Sequence, residues 1–228
     1  DTIEQMAKNV GRFNAEFGFQ SFPEFSTLSA FCSKDEWNLT SSSMQHHQKS
    51  YVGNQKMVVH AERLFGRTTG FDTLVYFSQL VQSHAMTTAI GAHLLDAPRC
   101  MGTLYWQLND CWPVTSWSSR DYYGRWKAAQ YQIKRSFAPK LIVIKGVENN
   151  DTKELNSIKI QIVNEGLNDE KGRLNWSLIK FDGTELYKNS KSIVLNSNSV
   201  TNATELLNSE IPDRKLWKDC LLHAEFIN

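Results

Sequence analysis

Arg12-Phe13-Asn14-Ala15-Glu16-Phe17-Gly18-Phe19-Gln20-Ser21-Phe22-Pro23 carries one carboxylate, Glu16, in a run of aromatic residues. Alternating apolar positions that run into Gly18 and Pro23 predict a buried strand leading into a loop. Phe13, Phe17, Phe19 and Phe22 flank the acid, and a carboxylate in apolar surroundings is costly unless paired or hydrogen-bonded. Two readings follow. One is a buried Glu satisfied by a neighbouring Arg. The other is a catalytic carboxylate at the C-terminal end of a barrel strand, where α/β barrels keep their chemistry.

On the N-terminal side, Ile3, Met6, Ala7 and Val10 have helical spacing, and Gly11 ends the pattern. On the C-terminal side, residues 23–55 read as irregular. Ser26-Thr27-Leu28 is a short helix start there, and Ser41 to His47 is a polar loop. Adjacent side chains point in different directions, so His46 and His47 are expected on an exposed loop lining a site entrance rather than on one metal. Residues 56–66 predict a short helix stopped by Gly66. Phe71 to Leu95 is the strongest helical pattern, with Leu74, Phe77, Val81, Ala85, Thr88 and Ala92 on one stripe, Asp72 as its cap and Pro98 beyond its end.

Gly102 to Leu108 predicts a second buried strand, running into Asn109-Asp110-Cys111-Trp112-Pro113. Four of the seven tryptophans, Trp106, Trp112, Trp117 and Trp126, fall in this part of the chain, mixed with Gln107, Asn109, Asp110, Ser116 and Ser118. Indole faces suit the C–H face of a pyranose, and amides and carboxylates suit its hydroxyls, so the mixture has the chemistry of a sugar site. An aromatic-rich core edge is the alternative. Tyr123 to Phe137 predicts a helix burying Trp126, Ala129, Ile133 and Phe137.

Beyond Pro139 the period changes to two. Ile158, Ile160 and Ile162 alternate with polar residues, as do Leu174, Trp176 and Leu178, and Asp182-Gly183 marks a tight turn. Short strands and polar turns predict a β-sandwich from residue 139 onward. The first half reads strand, helices, strand, helix, an α/β order. Two strands cannot close a barrel that needs eight. Residues 1–138 are therefore expected to be the last two strand–helix units of a (β/α)8 TIM barrel. The opening Asp-Thr-Ile-Glu-Gln-Met, without an initiating Met, suits a piece of a longer polypeptide.

Composition narrows the partners. A net charge of +1 over 228 residues gives no electrostatic footprint for nucleic acid or an anionic membrane, and no apolar run is long enough to span a bilayer. Cys32, Cys100, Cys111 and Cys220 match no zinc or redox spacing.

Two blocks, Arg12 to Pro23 and Gly102 to Tyr131, resemble the catalytic segments of β-mannosidases of glycoside hydrolase family 2. The wording Trp106-Gln107-Leu108-Asn109-Asp110-Cys111-Trp112-Pro113 is the mannosidase form, and exo-glucosaminidases have a similar stretch. The resemblance covers about residues 10–138. It implies an immunoglobulin-like sandwich over 139–228, incomplete at its C-terminal end. It also implies retaining hydrolysis of terminal, non-reducing β-D-mannose, with Glu16 as nucleophile and Trp106, Asp110 and Trp112 as substrate-binding residues. Ala15 stands where the family often has Ser.

In the family the acid/base Glu follows an Asn well upstream. Only Asp1 and Glu4 are acidic before Glu16, and Asn164-Glu165 reads as a sandwich turn. The chain is thus expected to supply the nucleophile but not the acid/base, and to be inactive alone. The implied partners are a β-mannoside oligosaccharide and the rest of the parent polypeptide, with no metal or organic cofactor. Another exo-acting family 2 glycosidase (glucosaminidase or galactosidase) and a non-catalytic carbohydrate-binding fragment remain as alternatives.

Overall fold

A computed structural model describes residues 2–149, 151, 154–209 and 219–228. The chain divides into two compact units, residues 1–137 and 138–228.

The spine of the first unit is a 25-residue helix, and among the described residues five shorter α-helices and a 3-10 turn at Lys34–Glu36 accompany it. The α-helices are α1 (Ile3–Lys8), α2 (Phe25–Phe31), α3 (Ser42–His46), α4 (Gly53–Phe65), α5 (Phe71–Leu95) and α6 (Ala128–Ser136). In α1, Thr2 and Gln5 form a reciprocal capping box. Gly66 ends α4 at φ +79°, a conformation that favours glycine. The long helix α5 has the expected bounds and buries Leu74, Val75, Val81, Ala85, Met86 and Ile90 against Phe19, Phe22, Leu28, Met57 and Ile133. Its burial extends past the expected stripe to Ser78, Gln79, Gln82 and Ser83, so polar groups lie inside the unit.

Several expectations are corrected. Asp72 does not cap α5. Gly70 holds that position without a side-chain bond, and Asp72 lies in the first turn. Residues 42–46 are helical rather than loop, because Ser41 Oγ accepts the Met44 N–H at 3.2 Å and Met44 is fully buried. The helix expected from Tyr123 begins only at Ala128. Residues 119–127 instead form a tight loop, with Gly124 at φ +83° and Asp121 N donating to Arg125 O at 2.9 Å. Trp126 and Phe137 consequently stay half-exposed, while Ala129 and Ile133 are buried as expected.

The two segments expected as buried strands are short, extended stretches that pair in parallel. Asn14 N donates to Gly102 O (2.9 Å), Leu104 N to Asn14 O (2.9 Å) and Trp106 N to Phe17 O (2.8 Å). One face of this pair is open: Phe13, Leu104, Trp106 and Leu108 are 49–58% exposed. Along residues 103–108 the exposed positions alternate with half-buried ones, as strand geometry requires. Parallel strands normally have both faces covered.

The second unit is a β-sandwich of β1 (Lys140–Glu148), β2 (Leu155–Asn164), β3 (Glu170–Lys180), β4 (Glu185–Leu195), β5 (Ser199–Leu207) and β6 (Cys220–Ile227). One sheet has order β1-β2-β5 and the other β4-β3-β6, with every neighbouring pair antiparallel. Period-two alternation sends Ile160, Ile162, Leu174, Trp176 and Leu195 into one core. Each such side chain contributes roughly 1.5–3 kcal/mol by leaving water. Gly183 at φ +90° and Thr184 N bonded to Asp182 Oδ1 (2.8 Å) make the β3–β4 turn. Asn164 ends β2 as a buried turn organiser, donating to Asn168 O and Asn196 O and accepting from Gly166 N.

Candidate active site

Aromatic alternation orients the Glu16 segment. Phe17 meets His93 edge-on with ring centroids 4.9 Å apart, and Phe19 lies 4.8 Å from the His60 ring. Both phenyl rings face the helices. Glu16, the neighbour of Phe17, is exposed. This overturns the expectation of a carboxylate surrounded by Phe13, Phe17, Phe19 and Phe22. Three of those rings point into the core, and Phe13 lies over Gly102. Among the described residues no hydrogen bond or ion pair holds the Glu16 carboxylate.

Trp106 sits on the neighbouring extended segment, tied to the Glu16 segment through Phe17 O. A Cβ at position 18 would lie 2.0 Å from Trp106 O, so Gly18 is what lets the segments meet there. The Trp106–Gln107 peptide is cis. Trp106 belongs to the exposed alternation of residues 104, 106 and 108, and Glu16 is exposed on the neighbouring segment.

A cavity of about 290 Å³ lies against the Glu16 segment. Five consecutive residues, Glu16 to Gln20, line one wall, with Lys56 and His60 of α4 among the residues of the others. Side chains of a strand alternate faces, so consecutive residues reach one cavity along a backbone edge. Burial lowers the His60 pKa, and the charges of Arg63 and Lys56 add to that. Both effects favour the neutral imidazole.

The remaining sequence candidates separate. Asp110 is buried: its Oδ1 accepts Ser116 Oγ (2.6 Å) and Gln107 Nε2 (3.2 Å), and its Oδ2 accepts Ser118 Oγ (2.5 Å). The expected substrate contact is thus an internal brace of the loop after Trp106. Trp112 is half-buried and stacks on His47 (4.8 Å between centroids), which stacks on Phe31 at 3.9 Å. Lys49 Nζ lies 4.8 Å from the Trp112 ring centroid. His47 is accordingly half-buried in an aromatic column, with Nδ1 donating to Pro113 O at 2.6 Å, while His46 is exposed. Trp126 pairs with Tyr131. The four tryptophans form no single platform; Trp117 joins Trp106 beside Gly18.

Two buried polar residues escaped the sequence reading. Gln82 of α5 donates from Nε2 to Phe19 O (2.9 Å), Trp117 O (2.9 Å) and Ser118 O (3.1 Å), and its Oε1 accepts Ser21 Oγ at 2.7 Å. Lys127 is fully buried, with Nζ 3.2 Å from both Ser21 O and Ser116 O. Burial pushes its pKa down to about 8, partly offset by the negative charges of Asp110, Asp121 and Glu24. The signal for Gln82 was a polar cluster interrupting an apolar helix stripe; Lys127 gave none. Among the described residues no group of three or more His, Cys, Asp or Glu side chains is placed to hold a metal ion.

The first unit thus carries an exposed carboxylate and an exposed indole on paired parallel segments, and a β-sandwich follows it in the chain. Residues 156–228 match the Mannosidase Ig/CBM-like domain family. The chain is 37% identical over 153 residues to a β-mannosidase of Capra hircus, covering 61% of this chain and 17% of that protein. It is 33% identical over 133 residues to β-mannosidase B of Aspergillus niger, covering 57% of this chain and 16% of that protein. The crystal structure of β-D-mannosidase from Dictyoglomus thermophilum superposes with a TM-score of 0.88 at 27% identity, covering 100% of this chain and 27% of that one. An exo-chitosanase of Amycolatopsis orientalis has the same fold at TM-score 0.73 and 22% identity, covering 95% of this chain and 26% of that one. Over 57–61% of its length the chain is thus similar to β-mannosidases, and it spans about a sixth of the length of the curated relatives it matches.

Proposed function

We propose that this chain is the nucleophile-bearing segment of a retaining β-mannosidase, with Glu16 as the nucleophile and Trp106 as the wall on which the sugar rests. The observation that supports the reading is that Glu16 and Trp106 are both exposed, on two extended segments paired in parallel. The exposed Phe13, Leu104 and Leu108 on the paired segments suit further parallel strands. On this reading residues 1–138 are the last two strand–helix units of a (β/α)8 barrel, and residues 139–228 are an immunoglobulin-like domain. The upstream strands belong to the parent polypeptide and carry the acid/base Glu.

The chemistry uses two carboxyl groups about 5–5.5 Å apart across the scissile bond. Ionised Glu16 attacks the anomeric carbon as the glycosidic C–O bond breaks, and the acid/base donates its proton to the departing oxygen. Water, deprotonated by the same acid/base, then attacks the mannosyl–Glu16 ester and releases mannose with its configuration retained. Asp110 supports the loop after Trp106 from inside, and Trp112 shapes its rim.

The test is Glu16→Ala in the full-length polypeptide, assayed on an aryl β-mannoside. Turnover should fall by at least about a thousandfold. Added azide should restore aryl release and yield α-mannosyl azide, because the small anion attacks from the vacated side. Undiminished turnover of Glu16→Ala would refute the assignment. An aryl β-glucosaminide in parallel separates the exo-glucosaminidase alternative.

A further inference from the structure

We propose that Gln82 is a positioning residue for this reaction: it sets the separation of the Glu16 carboxylate and the Trp106 indole by locking their two segments to one helix. The inference rests on the reading of Glu16 above. Gln82 is 1% exposed in the middle of α5, the most extensively buried helix of its unit. Its amide reaches both segments at once. Phe19 O and Ser21 Oγ belong to the Glu16 segment, three and five residues beyond the acid. Trp117 O and Ser118 O belong to the loop that returns from Trp106.

An amide NH2 has two hydrogens. Here they are shared among three carbonyls, so both donors are engaged and bridge the two segments. From Ser118 the network continues through its hydroxyl to Asp110 Oδ2, and from Asp110 Oδ1 to Gln107, the neighbour of Trp106. A buried, fully satisfied network specifies one geometry. Gln79, one turn earlier on the same helix, is also buried but makes no such link. Its Nε2 donates to Glu24 Oε1 at 3.0 Å, and its Oε1 accepts Ala128 N at 2.9 Å. Gln79 therefore isolates what a buried glutamine does for stability alone.

The experiment uses the full-length polypeptide and an aryl β-mannoside. Gln82→Met keeps the length of the side chain and removes every bond. Its kcat should fall on the order of 100-fold, the cost of about 1 Å of misplacement, while KM moves less than about threefold. Gln79→Met should lose comparable stability and keep kcat within about twofold of wild type, because its bonds reach neither segment. Gln82→Glu supplies a second readout if the Met variant fails to fold. The introduced carboxylate, when ionised, still accepts from Ser21 but donates to none of the three carbonyls; protonated, it regains one donor. The kcat of Gln82→Glu should therefore recover toward wild type as pH falls, against the wild-type profile. Wild-type kcat in Gln82→Met, or equal losses in Gln79→Met, overturns the positioning role. So does a Gln82→Glu pH profile parallel to wild type. Wild-type turnover that survives Glu16→Ala overturns instead the reading beneath it, and the positioning role falls with it.

Discussion

Replacing Lys127 by Met should stabilise the helical unit at neutral pH, and the gain should vanish in alkali. The ammonium is fully buried, and its pKa drops from 10.5 to about 8 chiefly through desolvation. That drop corresponds to roughly 3 kcal/mol of penalty on the charged folded form. The sign follows from proton counts. Below pH 8 both folded and unfolded chains hold the proton, and the whole penalty is present. Between about pH 8 and 10.5 the unfolded chain holds a proton that the folded one has released, so stability rises with pH. Above 10.5 the penalty is gone. Removing Lys127 orphans neither carbonyl, because Ser21 N donates to Ser116 O (2.9 Å) and Ser116 N to Ser21 O (3.3 Å). Asp110 and Asp121 lose a favourable charge, which takes back part of the gain. A net stabilisation of about 1–2 kcal/mol at pH 7 is expected, in the range seen when buried ions give way to apolar side chains. Urea unfolding followed by tryptophan fluorescence, at steps from about pH 7 to 10, measures it. The wild-type and Lys127→Met curves should converge as pH rises. Curves that stay parallel, or a variant less stable at neutral pH, would refute the reasoning.

Asp110→Ala should lower stability by about 1–3 kcal/mol, measured by the same unfolding assay, because two buried serine hydroxyls lose their acceptor. Trp106→Ala in the full-length polypeptide should raise KM for an aryl β-mannoside about tenfold, through loss of an aromatic contact worth up to roughly 1.5 kcal/mol; an unchanged KM would remove Trp106 from the sugar site.

Much of the fold was legible because period and punctuation agreed. The bounds of α5 followed from its 3–4 spacing, Gly66 stopped α4 where a positive φ was needed, and Ile160 and Ile162 alternated into the sandwich core. Where local chemistry competed with pattern, the reading slipped. Tyr123 to Lys127 has apolar residues at helical spacing, but Asp121 and Gly124 hold that stretch in a tight loop. Ser41 to His47 looked polar enough for a loop, yet a serine cap and the burial of Met44 make it helical.

The two proposed site residues, Glu16 and Trp106, stood out through their motifs, but their surroundings did not. Aromatic residues next to Glu16 in sequence point away from it, because a strand alternates its faces. The carboxylate of Asp110 and the amide of Gln82 look alike in a sequence whether they face solvent or span two segments. Only the fold distinguishes a substrate contact from an internal brace, and it makes both of them braces.

The most direct measurement of the central claim is covalent trapping of the full-length polypeptide with 2-deoxy-2-fluoro-β-D-mannosyl fluoride, followed by digestion and peptide mass mapping. The account predicts one fluoromannosyl adduct, on the peptide containing residues 12–22, borne by Glu16. An adduct on any other residue, or none on an enzyme that still hydrolyses β-mannosides, would contradict it.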